Sequence, residues 1–347
     1  MAYVNLVDQS ASDKNEIFCR FRDFVCKRNG TYDYSTTGIG WTLIDSSYAT
    51  DEDNCTINDW FVIYSPGEGG KDDLYIQVKW IDNLIGLYGY QAWDATTHAG
   101  STNKYVTGNA WTTAEGITGP FWIYGDLDAV MGIHYLSSVD YRGCYFGKLD
   151  PGYDDLTGEI ATCGTTLTAG SDVSIVVDSA PAEWAVGREI FIRTIHNDDM
   201  GTVKCEKIEI KTLVSNTITA DLVNSYTIGS CLSNHIGYWA FNTSNFGVGN
   251  TLIGPDGTNN YATAITYTDF VTSYFDPEKY ESRYLLMDFY QQSSNGMIGV
   301  MKHIKKSTSY GTVLPQLTYQ DILEETDGTQ WRTFKIYSNN YIAIKEV

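Results

Sequence analysis

Across residues 74–80 the chain alternates, Leu74, Ile76, Val78 and Trp80 interleaved with Tyr75, Gln77 and Lys79. A side-chain period of two is the signature of a strand with one covered face. The same texture occurs in Gly40-Trp41-Thr42-Leu43-Ile44 and in Trp60-Phe61-Val62-Ile63-Tyr64, which runs into the turn-forming Pro66-Gly67-Glu68-Gly69-Gly70. Phe121-Trp122-Ile123-Tyr124 and residues 129–135 flank Gly125-Asp126-Leu127-Asp128, which predicts a hairpin with a short polar loop. Residues 141–147 then supply a third strand of a meander. Gly, Thr, Asn and Tyr are abundant and charged residues make up only 19%, a balance that favours strands and turns over long helices.

The best helical pattern is residues 13–29, where Ile17, Phe18, Phe21, Phe24 and Val25 form one apolar face. Asp13 is placed to cap it, Glu16 follows three residues on as in a capping box, and Gly30 stands past its end. The expected role of this helix is to pack against a sheet.

At 347 residues the chain exceeds the roughly 100–200 residues of one ordinary core, so two compact units are expected. The pattern breaks at Asp150-Pro151-Gly152-Tyr153-Asp154-Asp155, and the stretch that follows is poor in aromatics and rich in Val, Ile and Thr. Within it Val173, Ile175 and Val177 alternate, as do Ile190 and Ile192, Ile208 and Ile210, and Ile218 and Ala220. Short strands at this density suggest a small sandwich or barrel. After Gly237-Tyr238-Trp239 the aromatic, Gly/Asn-rich texture returns. Strands are expected at 284–290 and 297–303 around Ser293-Ser294-Asn295-Gly296, then at 331–337 and 341–344, with Asp327-Gly328 and Ser338-Asn339-Asn340 as turns.

The fold expected is therefore mainly β: a discontinuous β-rich host domain with an N-terminal helix, interrupted by a small inserted β-sandwich or β-barrel domain. The host comprises residues 1–150 and 240–347, and the insert residues 151–239. Insertion at a surface turn costs little when the ends meet.

Charge narrows the function classes. The formal net charge is −20, and no basic stripe exceeds short stretches such as residues 302–306, so direct nucleic-acid binding is not expected. No run approaches the ~20 apolar residues that span a bilayer, and residues 1–13 lack a basic region followed by an apolar core. Neither membrane insertion nor signal-dependent secretion is expected. Cys19, Cys26, Cys55, Cys144, Cys163, Cys205 and Cys231 include no Cys-x-x-Cys pair, and no His lies at zinc-finger spacing. Their odd number and scatter read as thiols, with cross-links between subunits in an oxidising medium as the sharper alternative.

The motifs of the kinds that carry chemistry favour plain structural roles. Asp126 and Asp128 form an Asp-x-Asp pair of the kind that holds divalent cations, but no third acidic ligand is near and a hairpin turn explains them. Asp154-Asp155 and Asp198-Asp199 read as solvated loop charges. His98, His134, His196, His235 and His303 are dispersed and lie in no metal-binding or nucleophile signature. Gly67-Glu68-Gly69-Gly70-Lys71 lacks the spacing and strand-to-helix context of a phosphate loop. Tyr88, Tyr90, Trp93 and Trp111 stand in Gly-rich stretches where sugar-stacking platforms occur, although sheet cores and subunit interfaces use the same residues. No catalytic, cofactor-binding or metal-binding residue is assigned, no cofactor is expected, and the chain is read as no enzyme.

In order and texture the chain resembles structural proteins of tailed-bacteriophage virions. The residues that carry the resemblance are the helix around residues 18–25 leading to Gly40-Trp41, then Asp59-Trp60-Phe61-Val62-Ile63-Tyr64-Ser65-Pro66-Gly67-Glu68 and Leu74-Tyr75-Ile76-Gln77-Val78. Phe121-Trp122-Ile123-Tyr124-Gly125-Asp126-Leu127-Asp128 and Tyr141-Arg142-Gly143-Cys144-Tyr145-Phe146-Gly147 follow, with a weaker likeness at the closing hairpin. The resemblance implies a component of the neck, tail, baseplate or head surface, assembled in the host cytoplasm into the virion. It would act as a homo-oligomer bound to other virion structural proteins. The alternative is a carbohydrate-binding receptor protein or polysaccharide depolymerase.

Overall fold

The structure is a computed structural model that describes residues 3–11, 14–30, 32–48, 55–56, 58–67, 74–81, 84–90, 92–100, 105–112, 119–137, 140–150, 160–182, 184–193, 205–233, 239–243, 250–253, 259–265, 285–293, 296–308, 321–336 and 340–346. Strand β1 (Val4–Ala11) leads to helix α1 (Lys14–Cys26). The helix buries Ile17, Phe18, Phe21, Phe24 and Val25, and also Arg22 and Asp23. It is covered on more than the one apolar face its spacing predicts, because sheet residues meet it on two sides. Phe18 packs 4.9 Å from Phe61, and Phe21 lies 6.2 Å from Phe146. Arg22 Nε donates to Asp23 at 2.6 Å and Arg22 Nη1 to the Tyr48 hydroxyl at 2.9 Å, which gives the buried guanidinium its partners.

The helix ends before Gly30. Lys27 takes the left-handed conformation (φ 53°), and the amide of Arg28 reaches back to the carbonyl of Asp23 at 2.9 Å, a Schellman-type end made without glycine. The carbonyls of Phe24 and Val25 accept the amides of Ile39, Gly40 and Trp41, each at 2.9 Å. These bonds satisfy groups that a helix end otherwise leaves open, and they aim the chain into the first sheet.

That sheet is antiparallel, formed by β2 (Thr42–Ser46), β3 (Trp60–Ser65), β4 (Leu74–Ile81), β5 (Leu84–Tyr90) and, after the small hairpin β6 (Trp93–Asp94) and β7 (Ala99–Gly100), β8 (Tyr105–Thr112). Phe61, Ile63, Leu74, Ile76, Val78, Ile85 and Leu87 face α1. Val62, Tyr75, Tyr90 and Trp93 form a second cluster on the other face, with Trp60, Tyr64 and Tyr88 at its margin. So β4 is half-buried only toward its end, since Tyr75 is itself covered.

Strands β9 (Gly119–Gly125), β10 (Ala129–Ser137) and β11 (Asp140–Asp150) form the expected meander, and β1 pairs with the outer edge of β9. Alternation sorts their side chains. Phe121, Ile123, Val130, Cys144 and Phe146 join the core around α1, while Trp122, Tyr124, Met131, Ile133 and Tyr145 turn to the opposite face.

Next come β12 (Ile160–Thr162), β13 (Gly170–Val176), β14 (Glu189–Arg193), β15 (Cys205–Glu209), β16 (Thr212–Val214), β17 (Thr217–Leu222) and β18 (Cys231–Ser233). They pair among themselves as a four-stranded sheet, β12-β18-β14-β15, and a three-stranded sheet, β13-β17-β16. Their inward residues, among them Ile175, Ile190, Ile192, Ile208, Ile218 and Tyr226, share one core. This is a small β-sandwich.

The remaining strands are β19 (Trp239–Thr243), β20 (Asn250–Ile253), β21 (Asn259–Ile265), β22 (Leu285–Ser293), β23 (Gly296–Thr308), β24 (Ile322–Glu324), β25 (Gln330–Ile336) and β26 (Asn340–Lys345). They rejoin the meander through β11–β19, giving a twelve-stranded sheet with strands from both parts of the chain. That sheet curls, because the end of β11 also pairs with β23, Leu149 opposite Met301 and Asp150 opposite Val300. Phe334, Ile342 and Ile344 are thereby packed against Trp122, Tyr124 and Tyr145. The fold is mainly β, with its N-terminal helix enclosed by the host sheets. The expected turn residues 294–295 and 338–339 lie outside the described residues.

Candidate functional site

Charged side chains converge on the turn between β9 and β10. One carboxylate oxygen of Asp126 accepts the amides of Asp128 at 2.8 Å and Ala129 at 2.9 Å, which shapes the turn locally. The Asp126 carbonyl accepts the Trp41 indole N–H at 3.0 Å, and the Leu127 carbonyl accepts the Ser65 hydroxyl at 2.6 Å. The turn is therefore tied to the first sheet as well as to its own strands.

The end of β11 brings β23 to the same place, since Ala129 lies opposite Gly147 and Met301 opposite Leu149. Here β23 is bulged. Between two pairings with β22, β22 advances from Asp288 to Tyr290 while β23 runs from Lys305 back to Val300, and His303 inside the bulge has φ 62°. The bulge presents an imidazole and an ammonium to two carboxylates. His303 Nε2 lies 2.6 Å from Asp126 Oδ2, and the Lys302 ammonium pairs with the Asp128 carboxylate. The Lys302 amide donates to the Tyr145 hydroxyl at 3.0 Å, the Tyr3 ring lies 4.5 Å from the His303 ring, and the Tyr3 hydroxyl donates to the Lys345 carbonyl at 2.8 Å.

Burial alone would raise the Asp126 carboxyl, but the bond and charge of His303, with the two turn amides, hold it below the usual carboxylate range. Burial likewise opposes the Lys302 charge, and Asp128, Asp126 and Asp150 outweigh it, raising the ammonium above its ordinary value. The cluster serves as a clasp between Tyr3 just ahead of β1, the turn, β11 and β23. Among the described residues no group of three or more His, Cys, Asp and Glu side chains is arranged to hold a metal ion.

A second cluster lies on the outer face of the first sheet. One oxygen of Asp45, on β2, accepts the Trp93 indole N–H at 2.9 Å and lies 2.9 Å from His98 Nδ1. The Trp60 ring is 5.7 Å from Trp93 and 5.8 Å from His98, and Tyr90 is 5.2 Å from Trp93. Gly100 lies directly on Tyr90, where a Cβ would come within 1.9 Å of the ring. The sequence places Tyr88, Tyr90 and Trp93 as platform candidates, and they do share a face. Tyr90, covered by Gly100 of β7, and Trp93, on β6 itself, are nevertheless both buried, so their rings are not laid open for stacking. The Trp111 side chain lies outside the described residues.

Other candidates are scattered. His134 is buried on β10, and neither of its ring nitrogens has a hydrogen-bond partner among the described residues. His196, His235, Asp154, Asp155, Asp198, Asp199 and residues 68–71 lie outside the described residues. Cys26 and Cys144 are set apart in the host core, where burial pushes both thiols up to about 12. The pairing of Asp126 with His303 spans 177 residues and has no local sequence signal. Alternation does place Trp60, Tyr64 and Tyr75 on one side of adjoining strands, a local signal from which the aromatic face can be read. No protein-family model matches the chain, and no curated protein matches it in sequence.

Proposed function

We propose that the chain is a structural component of a tailed-bacteriophage particle, at the neck, tail, baseplate or head surface, acting by symmetric oligomerisation and by binding other virion proteins. The observation that carries this reading is the surface of the 160–233 sandwich. Of the seven large aliphatic side chains most exposed among the described residues, five (Val176, Val186, Val214, Val223 and Ile228) stand on it. Val176 and Val214 flank Thr217 in one cross-strand row, and Ser174, Thr219 and Thr212 form the next. These two rows carry no charge on a chain whose formal net charge is −20.

Beyond these two rows the same face carries Asp172 and Asp221, both paired with Lys211 at 2.8 and 2.6 Å, and the uncharged rows suit contact between copies of this chain. Two acidic copies meeting on those rows desolvate no carboxylate within them, and the neighbouring Asp172 and Asp221 already share a lysine. Closed rotational symmetry would satisfy such a face without leaving open ends. The sugar-binding alternative draws less support, since the aromatic cluster is largely covered and its carboxylate is already engaged.

Light scattering of the purified chain from low to high salt, with and without the other particle proteins, tests the reading. Association should strengthen with salt or with a more basic partner, and Val214→Asp should weaken it. A strict monomer under every condition, together with absence from purified virions, overturns the proposal.

A further inference from the structure

Helix α1 carries Cys19 on a wholly buried face, and Cys55 sits a few residues ahead of β3, itself only 5% exposed. Their sulfurs are 3.6 Å apart. Asn15, one helical turn before Cys19, gathers both: its side-chain oxygen accepts the Cys55 amide at 3.1 Å, the Cys55 thiol at 2.5 Å and the Cys19 thiol at 3.5 Å. The two thiols are thus held in contact by the fold. A disulfide requires an S–S distance of about 2.05 Å, and side-chain rotation that releases the Cys55 thiol from Asn15 is the motion that brings the sulfurs together.

We propose that Cys19 and Cys55 form an oxidisable dithiol that an oxidising medium closes into an intrachain disulfide, tying α1 to the approach of β3. The oxidant is a small disulfide of the glutathione class. The more accessible Cys55, as its thiolate, attacks one glutathione sulfur and expels a glutathione thiolate. The Cys19 thiolate then attacks the mixed disulfide at the Cys55 sulfur and expels the second. One S–S bond breaks as another forms, and the two cysteine protons end on two glutathione thiols. The two cysteine sulfurs are oxidised and the glutathione disulfide is reduced.

The hydrogen bond with Cys19, followed by burial, holds the Cys55 thiol well above its ordinary ionisation range. Closure is therefore slow in the packed state and proceeds through local opening. The bond follows from the fold alone. Its use rests on the assembly reading: a particle built in a reducing cytoplasm meets an oxidising medium on release, so the tie would form after assembly.

The test takes the full-length chain, fully reduced, holds it in oxidised glutathione, alkylates what remains and maps the peptides by mass. The expected product has lost two hydrogen atoms, located in a linked Cys19–Cys55 peptide pair. Its unfolding midpoint rises by about 5 °C, and a reducing agent reverses the change. Cys19→Ser and Cys55→Ser should each abolish the linkage, and if either fails to fold the wild-type map alone decides. Unreacted thiols, a persistent mixed disulfide, or linkage of either residue to another cysteine overturns the inference. A Cys19–Cys55 bond in the isolated chain, with the chain missing from purified particles, upholds the dithiol and removes the assembly reading instead.

Discussion

Asp126 and His303, 177 residues apart, meet at 2.6 Å where the bulge of β23 covers the β9–β10 turn. The same carboxylate also organises the turn through the amides of Asp128 and Ala129. Asp126→Ala removes both roles and should destabilise the chain by about 3 kcal/mol, whereas Asp126→Asn keeps an acceptor for the amides and should cost about 1 kcal/mol. The Asp126 carboxyl is held below its ordinary range, so its contribution is present above about pH 4 and is lost as pH falls through the lower folded value. Lys302 is raised, so its contribution is present below about pH 10 and is lost as pH rises through the higher folded value. Denaturant unfolding across pH separates the two limbs, and equal, small effects of both Asp126 variants would refute the clasp.

Gly125 immediately precedes that turn, and a Cβ there would come within 2.4 Å of the Ala129 carbonyl oxygen and 2.9 Å of Ile39. The first obstacle is backbone, which cannot swing aside. Gly125→Ala should therefore cost more than about 2 kcal/mol. Gly187 has φ 84° and nothing within 4 Å of its Cβ position, so Gly187→Ala meets only the conformational penalty, about 1 kcal/mol. Matched thermal melts check the ranking, and a reversed order would contradict the packing around the turn.

Local chemistry made much of this fold legible. Alternation placed β4, the β9–β11 meander and the paired Ile residues of the sandwich, and Asp327-Gly328 marked a turn where Gly328 has φ 88°. Spacing places the helix, but it ends at Cys26 and not at residue 29, because Lys27 supplies the left-handed residue and tertiary amides cap the last carbonyls. Strand β1 is not legible locally: Val4, Leu6 and their neighbours become a strand by pairing with distant β9. The charged clasp was invisible for the same reason. Asp126 and Asp128 read as a turn, which they are, but their partners His303 and Lys302 arrive from β23 through a bulge whose register depends on the whole curled sheet.

His134 sits on β10 opposite Phe121 and Arg142, is 1% exposed, and its imidazole is held down to about 4 by burial. The unfolded chain binds a proton near pH 6.5 and the folded chain only near 4, so stability falls as pH drops through that window and levels off below it. The size of the shift corresponds to about 3 kcal/mol over the window. His134→Leu removes the titration and leaves no unpaired ring nitrogen in the core. The variant should show a flatter stability profile between pH 6.5 and 4 and near wild-type stability at pH 7. An unchanged acid slope in unfolding curves would assign the loss to other groups.

Residues 151–238 should fold alone, the boundary expected at 239 moving back by one residue because Trp239 already belongs to host strand β19. Every described ladder of β12 to β18 lies within that stretch, and its inward side chains form a core that shares no member with the host clusters. The first and last of these strands are neighbours, with Ile160 opposite Ser233, so the two ends of the fragment leave the sandwich side by side. On the host side the flanking strands also meet, with Lys148 opposite Trp239. A connection that departs and returns at adjacent points adds little closure entropy to the host, and either part loses little by separation. Expressed alone, the fragment should give a β-type circular dichroism spectrum and a cooperative melt. The host with 151–238 replaced by a short Gly/Ser loop should retain its own transition. A random-coil spectrum from the fragment, or a host that no longer melts cooperatively, would show that the two parts stabilise each other through contacts beyond the described ladders.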